Sequence, residues 1–304
     1  MRTCSIIVTC TYRKSFPADP SLRFENYKAF KPNEQIVKWV ESVVRAPLRS
    51  SAIDVYQGNY WSAVKALAKS ISESNSDVQL RIFIASAGMG LISISDPIPS
   101  YDATFTPNLS NSIGDKNTSV EWWNELNLRM ERMDLGSLFS TSDFTYIATS
   151  QNYLDVLLNR HISAKRMSDD VAIFSKNKVV TTTFQNNTLG YVADFERLLG
   201  GTRDVQLLRL IARIFESDVD PFNLLEVRKF LASLKAGGAT TRKYNRSVLD
   251  DEAIAKWINS QLGYDRKYSS SFLLRKLRNS GYACEQRRFR NIFTLVKGRY
   301  PYAP

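Results

Sequence analysis

The sequence predicts an α/β fold. A three-layer α/β/α domain with a mainly parallel sheet is expected over residues 1–188, followed by a helical domain over residues 189–304. Three observations carry this reading. Short apolar runs of strand length alternate with stretches whose apolar residues recur at helical spacing. After Gly190 the strand signals stop and helical patterns continue. With 304 residues, 43% of them hydrophobic, the chain can bury one large core or two ordinary ones.

The elements follow in order. Ser5–Thr9 (Ser-Ile-Ile-Val-Thr) reads as a first buried strand, and the segment around it has no signal-peptide cleavage region. Tyr60–Ser72 is helical through Trp61, Val64, Leu67, Ala68 and Ile71. Leu80–Ala85 is the second strand. Ser119–Met133 reads as a helix, with Ser119 or Thr118 as its cap and Glu121 in its first turn. Phe144–Thr149 is a third strand and Asn152–Arg160 a short helix. Val171–Phe174 and Val179–Phe184 suggest two further strands. Beyond them, Phe195–Leu199, Val205–Glu216, Asn223–Leu234, Asp251–Leu262, Ser271–Asn279 and Glu285–Leu295 all have helical spacing. Lys235–Arg246 is a basic linker rich in Gly and Thr.

Composition narrows the function classes. No run approaches the roughly 18 apolar residues of a membrane span, so no membrane partner is expected. Three cysteines (Cys4, Cys10, Cys284) and a single histidine suit neither a disulfide scaffold nor a zinc site. A reducing, cytoplasmic setting is expected, with no metal, no cofactor and no obligate protein partner. The formal charge of +11 favours a polyanionic partner.

The charge is concentrated near the carboxyl terminus. Tyr264–Tyr300 carries ten Lys/Arg against two acids, a formal +8. Ser271–Gly281 reads as a short amphipathic helix closed by a glycine, and a second basic helix follows. Such a pair suits a helix-turn-helix-like unit with Phe272, Leu273, Leu277, Phe289 and Phe293 as its core. The alternative is a solvated basic face on a structural bundle. Ten like charges in one small unit favour phosphate binding, without sequence preference. Arg275, Lys276, Arg278, Arg287, Arg288 and Arg290, with Arg242 and Lys243 of the linker, are the expected DNA contacts. Arg160–Arg166 is a further basic run that suits phosphate.

Three loops of the first domain are expected to converge at the carboxyl edge of the sheet: Thr9–Lys14, Ala46–Trp61 and Ser86–Asp102. Each residue in them also has a plain structural reading. Cys10 reads as a small buried hydrophobe or a nucleophile, with no histidine near it in sequence. Lys14 reads as a surface charge, Tyr56 and Trp61 as core, and Gly88 and Gly90 as turn residues. Asp102 suits a turn or cap as well as a catalytic carboxylate. No Gly-Lys-Ser/Thr follows the glycines, which excludes a phosphate-cradling nucleotidase loop. Ser119, His161 and an acid lack a nucleophile elbow, so a hydrolase triad is not supported.

Cys10-Thr-Tyr-Arg-Lys14, Asp54-Val-Tyr56-Gln-Gly58 and Ser86-Ala-Gly-Met-Gly90-Leu with Pro99-Ser-Tyr101-Asp102 resemble the motifs of one bacterial domain family. Its members carry Cys-x-x-x-Lys, Ala-x-Asp/Glu-Leu-Tyr-x-Gly and Ser-Ala-x-x-Gly-Leu followed by Pro-Tyr-Asp. They are described as similar to tRNA-guanine transglycosylases and archaeosine synthase. The resemblance covers roughly the first 110 residues, with a weaker echo in Leu274–Phe289. Ser100 interrupts the Pro-Tyr-Asp motif, and Gly88 replaces a usual Lys or bulky residue.

The resemblance implies a uracil-DNA-glycosylase-like fold. It extends to phage-defence DNA glycosylases that excise α-glucosyl-hydroxymethylcytosine from phage DNA. It implies hydrolytic excision of a flipped, modified base from double-stranded phage DNA, leaving abasic sites. Asp102 would then stabilise the oxocarbenium-like state. Cys10, Tyr12, Lys14, Tyr56, Gly58, Ser86, Gly88 and Tyr101 would bind substrate. Among these, Tyr12, Tyr56 and Tyr101 are placed to stack on the base or line the sugar, and the Ser86–Gly88 backbone to donate to the base. No lysine stands out for a Schiff base, so monofunctional action is expected. A base-exchanging transglycosylase and a non-enzymatic nucleic-acid-binding module remain the alternatives.

Overall fold

The computed structural model describes residues 1–47, 49–159, 170–175, 186–190, 199–236, 246–266 and 268–298. It divides into two compact units, Met1–Ala239 and Thr240–Pro304. The first unit is mixed α/β. Its elements are β1 (Arg2–Thr9), α1 (Pro32–Arg45), β2 (Ser50–Ser51), α2 (Ala52–Val55), α3 (Asn59–Ser74) and β3 (Val78–Ser86). They continue with β4 (Gly90–Ser93), β5 (Pro97–Ile98), α4 (Lys116–Arg129), α5 (Leu135–Ser140), β6 (Phe144–Ala148) and α6 (Gln151–Leu157). β7 (Val171–Ser175), β8 (Thr188–Gly190), α7 (Arg203–Phe215) and α8 (Leu224–Ala236) complete it.

The central sheet has six strands in the order β4-β3-β1-β6-β7-β8. β1 pairs in parallel with β3 on one side and β6 on the other, and β7 and β8 continue the parallel run. β6 and β7 are buried at every residue, as strands covered on both faces must be. That explains their uninterrupted apolar sequences. Two sets of helices supply the cover: α3 packs on β3 and α7, whereas α4 packs on α1 and α6.

In the parallel strands the winding reverses at β1: the chain passes first to β3 and later to β6, on β1's opposite side. The crevice outside the carboxyl ends of β1 and β6 is the topological switch point, where open α/β sheets bind ligands.

Several expectations are corrected. The boundary expected at residue 188 lies instead beyond α8, because Leu207, Leu208, Leu210, Ile211, Ile214, Leu224, Val227 and Leu231 join the core of the first unit. α4 is capped by Asp115, whose Oδ1 accepts from the Thr118 amide at 2.9 Å, so neither Thr118 nor Ser119 is the cap. β4 runs antiparallel to β3 and was not expected; Gly90, at φ +74°, makes the tight return that begins it. The strand expected at Val179–Phe184, the helix expected at Phe195–Leu199 and the basic run with His161 lie wholly or largely outside the described residues.

The second unit contains β9 (Ser247–Val248), α9 (Asp251–Tyr264), α10 (Ser270–Asn279), β10 (Tyr282–Ala283) and α11 (Gln286–Gly298). β9 and β10 pair in parallel. Asp250 and Ser269 cap α9 and α10, accepting from Ala253 N at 2.7 Å and Phe272 N at 3.2 Å. Gly281, at φ +87°, lets the chain leave α10. Ile254, Ile258, Leu273, Leu274, Leu277, Phe289 and Phe293 share a separate core. Phe272 is not among them: it is 44% exposed and its ring lies tilted by 30° against that of Tyr268, while Leu274 takes the buried place.

Candidate active site

The three motif loops converge as expected. The Arg13–Lys14 segment is pinned beneath α2: Ser15 N donates to Val55 O at 2.8 Å and Gln57 N to Arg13 O at 2.9 Å. Gly58 adopts φ +101° at the start of α3, and the Arg13 side chain passes 3.5 Å from where a Cβ would stand. Gly58 therefore shapes the loop; it is not among the residues lining the cavity described below.

Behind the loops lies a closed hydroxyl cluster. The Tyr101 hydroxyl is 2.8 Å from that of Tyr56 and 2.6 Å from Ser86 Oγ. Ser86 Oγ also accepts from Met89 N at 3.0 Å. Burial pushes both tyrosine hydroxyls above their ordinary range, with the nearby Cys10 adding to the effect, so they remain neutral donors at physiological pH. Tyr56 is fully buried and stacks on Trp61 at 4.8 Å between ring centres. The expected stacking role for Tyr56 is thereby corrected, since no base reaches its face.

Gly88 has a packing reason. A Cβ there would stand 2.5 Å from Tyr101 Cδ2 and 3.0 Å from Trp39. Trp39 Nε1 donates to Gly88 O and Trp122 Nε1 to Ala87 O, each at 2.8 Å. The Ser86–Gly88 backbone is therefore a buried wall clamped by two indoles. Buried and absent from the cavity lining, it offers no N–H groups to a base there, which corrects the expectation of a donor surface.

The open side of the site is a cavity of about 600 Å³. Tyr12, Lys14, Arg23, Glu25, Tyr101 and Asp102 are among the residues that line it. Its volume is that of a small-molecule or nucleotide site. Tyr12 is 79% exposed and is the aromatic free to stack. Lys14 is half-buried, with Nζ 4.2 Å from the centre of the Tyr101 ring and 3.2 Å from Thr11 O. Desolvation lowers the Lys14 pKa, and the neighbouring Cys10 and Asp102 oppose that shift.

Asp102 is held on both sides of its peptide: its N–H donates to Leu22 O at 2.8 Å, and its carbonyl accepts from Phe24 N at 2.9 Å. The buried Asn111 side chain donates to Asp102 Oδ1. Asn111 is fixed in turn through its carbonyl, which accepts from Thr104 N at 3.1 Å. Oδ2 has no hydrogen-bond partner among the described residues. One oxygen thus orients the carboxylate and the other is left for chemistry. Asn111, Arg23 and Glu25 were not singled out from sequence. They reach the site through turns at residues 20–27 and 104–113, and no local pattern signals those contacts.

Cys10 sits on the other side of the constellation. It is buried, and its thiol lies 3.3 Å from the Tyr153 hydroxyl at the start of α6. Cys10 thus marks the switch point between β1 and β6 and is not among the cavity-lining residues. Among the described residues no group of three His, Cys, Asp or Glu could hold a metal ion.

In the second unit the expected DNA-contacting residues separate. Arg275, Lys276 and Arg290 are exposed. Arg278 donates to Cys284 O at 2.9 Å. Arg288 pairs with Asp251 at 2.5 Å and donates to Leu249 O at 2.9 Å. Those contacts fasten α10 and α11 to their own unit, which corrects the expectation that Arg278 and Arg288 are free for phosphate. Arg242, Lys243 and the Arg287 side chain lie outside the described residues. No helix among the described residues is long and apolar enough to cross a membrane. Comparison of the chain with family models, curated proteins and solved structures finds no match.

Proposed function

We propose that this chain is a DNA N-glycosylase that flips a modified base into the Tyr12–Lys14–Asp102 cavity and hydrolyses its glycosidic bond. The observation that carries the reading is Asp102: a carboxylate oriented through one oxygen, open at the other, in a nucleotide-sized cavity beside an amine and an exposed aromatic ring. Cleavage of a glycosidic bond develops positive charge on the sugar, and a fixed carboxylate stabilises that charge and orients water. Lys14 neutralises the departing base. Tyr12 stacks on the extruded nucleotide.

The finer features belong to the same proposal. The first unit takes a uracil-DNA-glycosylase-like fold, and its parallel sheet with a switch-point crevice supports that reading. The second unit is a helix-turn-helix-like grip on duplex DNA, supported by the exposed Arg275, Lys276 and Arg290. The excised base is α-glucosyl-hydroxymethylcytosine in phage DNA, in a cytoplasmic defence role. That part is supported by the motif resemblance.

The test incubates the protein with glucosylated and unmodified phage DNA, then reads alkali-labile sites and released bases by mass. Free modified base, with alkali-labile sites in glucosylated DNA and none in unmodified DNA, is the expected result. Incorporation of an added free base into DNA would favour base exchange. Binding without any released base, unaffected by Asp102→Asn, would leave a non-enzymatic binding module and overturn the proposal.

A further inference from the structure

We propose that Lys14 is an imine-forming nucleophile, which gives the protein a second activity: cleavage of the DNA strand at abasic sites. The inference rests on the glycosylase reading to the extent that the cavity takes a flipped nucleotide. The geometry singles out one amine. The other cations lining the cavity, Arg13 and Arg23, are guanidiniums and form no imines. Lys14 is half-buried and stands over the Tyr101 ring, and it forms no ion pair among the described residues. Its backbone is fixed by an isolated bridge to Tyr56, so the amine is held at one side of the cavity. Desolvation lowers its pKa and so enlarges the fraction of neutral amine, the form that attacks carbonyl carbon. Asp102, the proton acceptor that the later step needs, lines the same cavity.

The chemistry closes without an oxidant or metal. Loss of the base leaves a hemiacetal at C1′ of the deoxyribose, which opens to an aldehyde. The neutral Lys14 amine adds to C1′, and the carbinolamine loses water to give a protonated imine. The imine acidifies the C2′ proton, which passes to Asp102. The electron pair left on C2′ forms the C2′–C3′ double bond as the C3′–O bond breaks, and the 3′ phosphate leaves. Hydrolysis of the imine restores the amine and releases an unsaturated sugar on the nicked strand.

The experiment supplies a ready-made abasic duplex, so it does not depend on base excision. Wild-type protein and DNA are mixed with borohydride, the covalent adduct is quantified, and its attachment site is mapped by peptide mass. The expected result is an adduct on Lys14 whose yield falls by about tenfold or more in Lys14→Arg, which keeps the charge but forms no imine. Its formation should persist to lower pH than that of an ordinary lysine. No wild-type adduct, or an adduct mapped to the amino terminus or another lysine, overturns the inference. Base release without an adduct sinks this inference and spares the glycosylase. An adduct on Lys14 without base release does the reverse.

Discussion

Two layers of the site differ in how their polar groups are used: an inner wall buried behind the cavity, of which Tyr101 alone also lines it, and an outer wall that faces it. The inner wall holds Tyr56, Ser86 and Tyr101, whose hydroxyls bond to one another, and carbonyls of Ala87 and Gly88 that bond to Trp122 and Trp39. The outer wall holds Tyr12, Lys14 and Asp102, with an exposed ring, an amine free of ion pairs and a carboxylate oxygen with no partner among the described residues. Polar groups whose hydrogen bonds are complete inside the protein specify shape. Groups left incomplete beside a cavity are available for a ligand. The motif residues therefore divide into a mould and a working surface, although the sequence presents them side by side.

Substitutions can break that division. Asp102→Asn keeps the shape of the outer wall but removes its negative charge. Base release should fall by about a thousandfold with DNA affinity unchanged, measured by released base against a binding isotherm. A comparable loss in Glu25→Gln with activity retained in Asp102→Asn would move the catalytic role to Glu25. On the inner wall, Gly88→Ala puts a Cβ 2.5 Å from Tyr101 and should cost about 1–3 kcal/mol in chemical denaturation, since overpacking in a closed wall has no outlet.

Asn111 connects the two sides. Asn111→Ala should lower turnover about tenfold with little change in affinity, because it frees the Asp102 carboxylate to rotate. A thermal shift without a turnover change would make Asn111 purely structural. The second unit carries a parallel contrast. Arg290→Gln should weaken DNA binding and reduce the salt slope by about one. Arg288→Gln should lower stability and leave that slope unchanged, because its guanidinium is committed to Asp251.

The smallest effect concerns pH. Lys14 has a lowered folded-state pKa, so the folded form releases its proton before the unfolded form does. Stability should rise with pH between that lowered value and the ordinary lysine value of 10.5. Relative to Lys14→Met, the wild type should gain stability across that window, read from denaturation midpoints. A flat difference would mean that the amine is solvated.

Much of the sheet was legible because its strands are buried on both faces, which leaves continuous apolar runs such as Val171–Phe174. That Tyr101 and Asp102 share one cavity was legible because they are adjacent in sequence. Contacts closed through space were not. Asn111 reaches Asp102 only after the chain turns through Asn108, at φ +63°. Arg288 looked like one more free cation in a basic run until its partner Asp251, on a different helix, was placed beside it. The domain boundary was missed for a similar reason. The amphipathic spacing of α7 shows that it covers a core, but not which core.

The indole clamp behind Gly88 also has an optical consequence. Trp39 lies 6.4 Å edge-on from the Tyr101 ring and 6.0 Å from Trp122. A ligand that shifts Tyr101 alters the surroundings of two buried fluorophores at once. Such a shift would change the intrinsic emission of the unlabelled protein, and a titration in a fluorimeter would read it before any bond is broken.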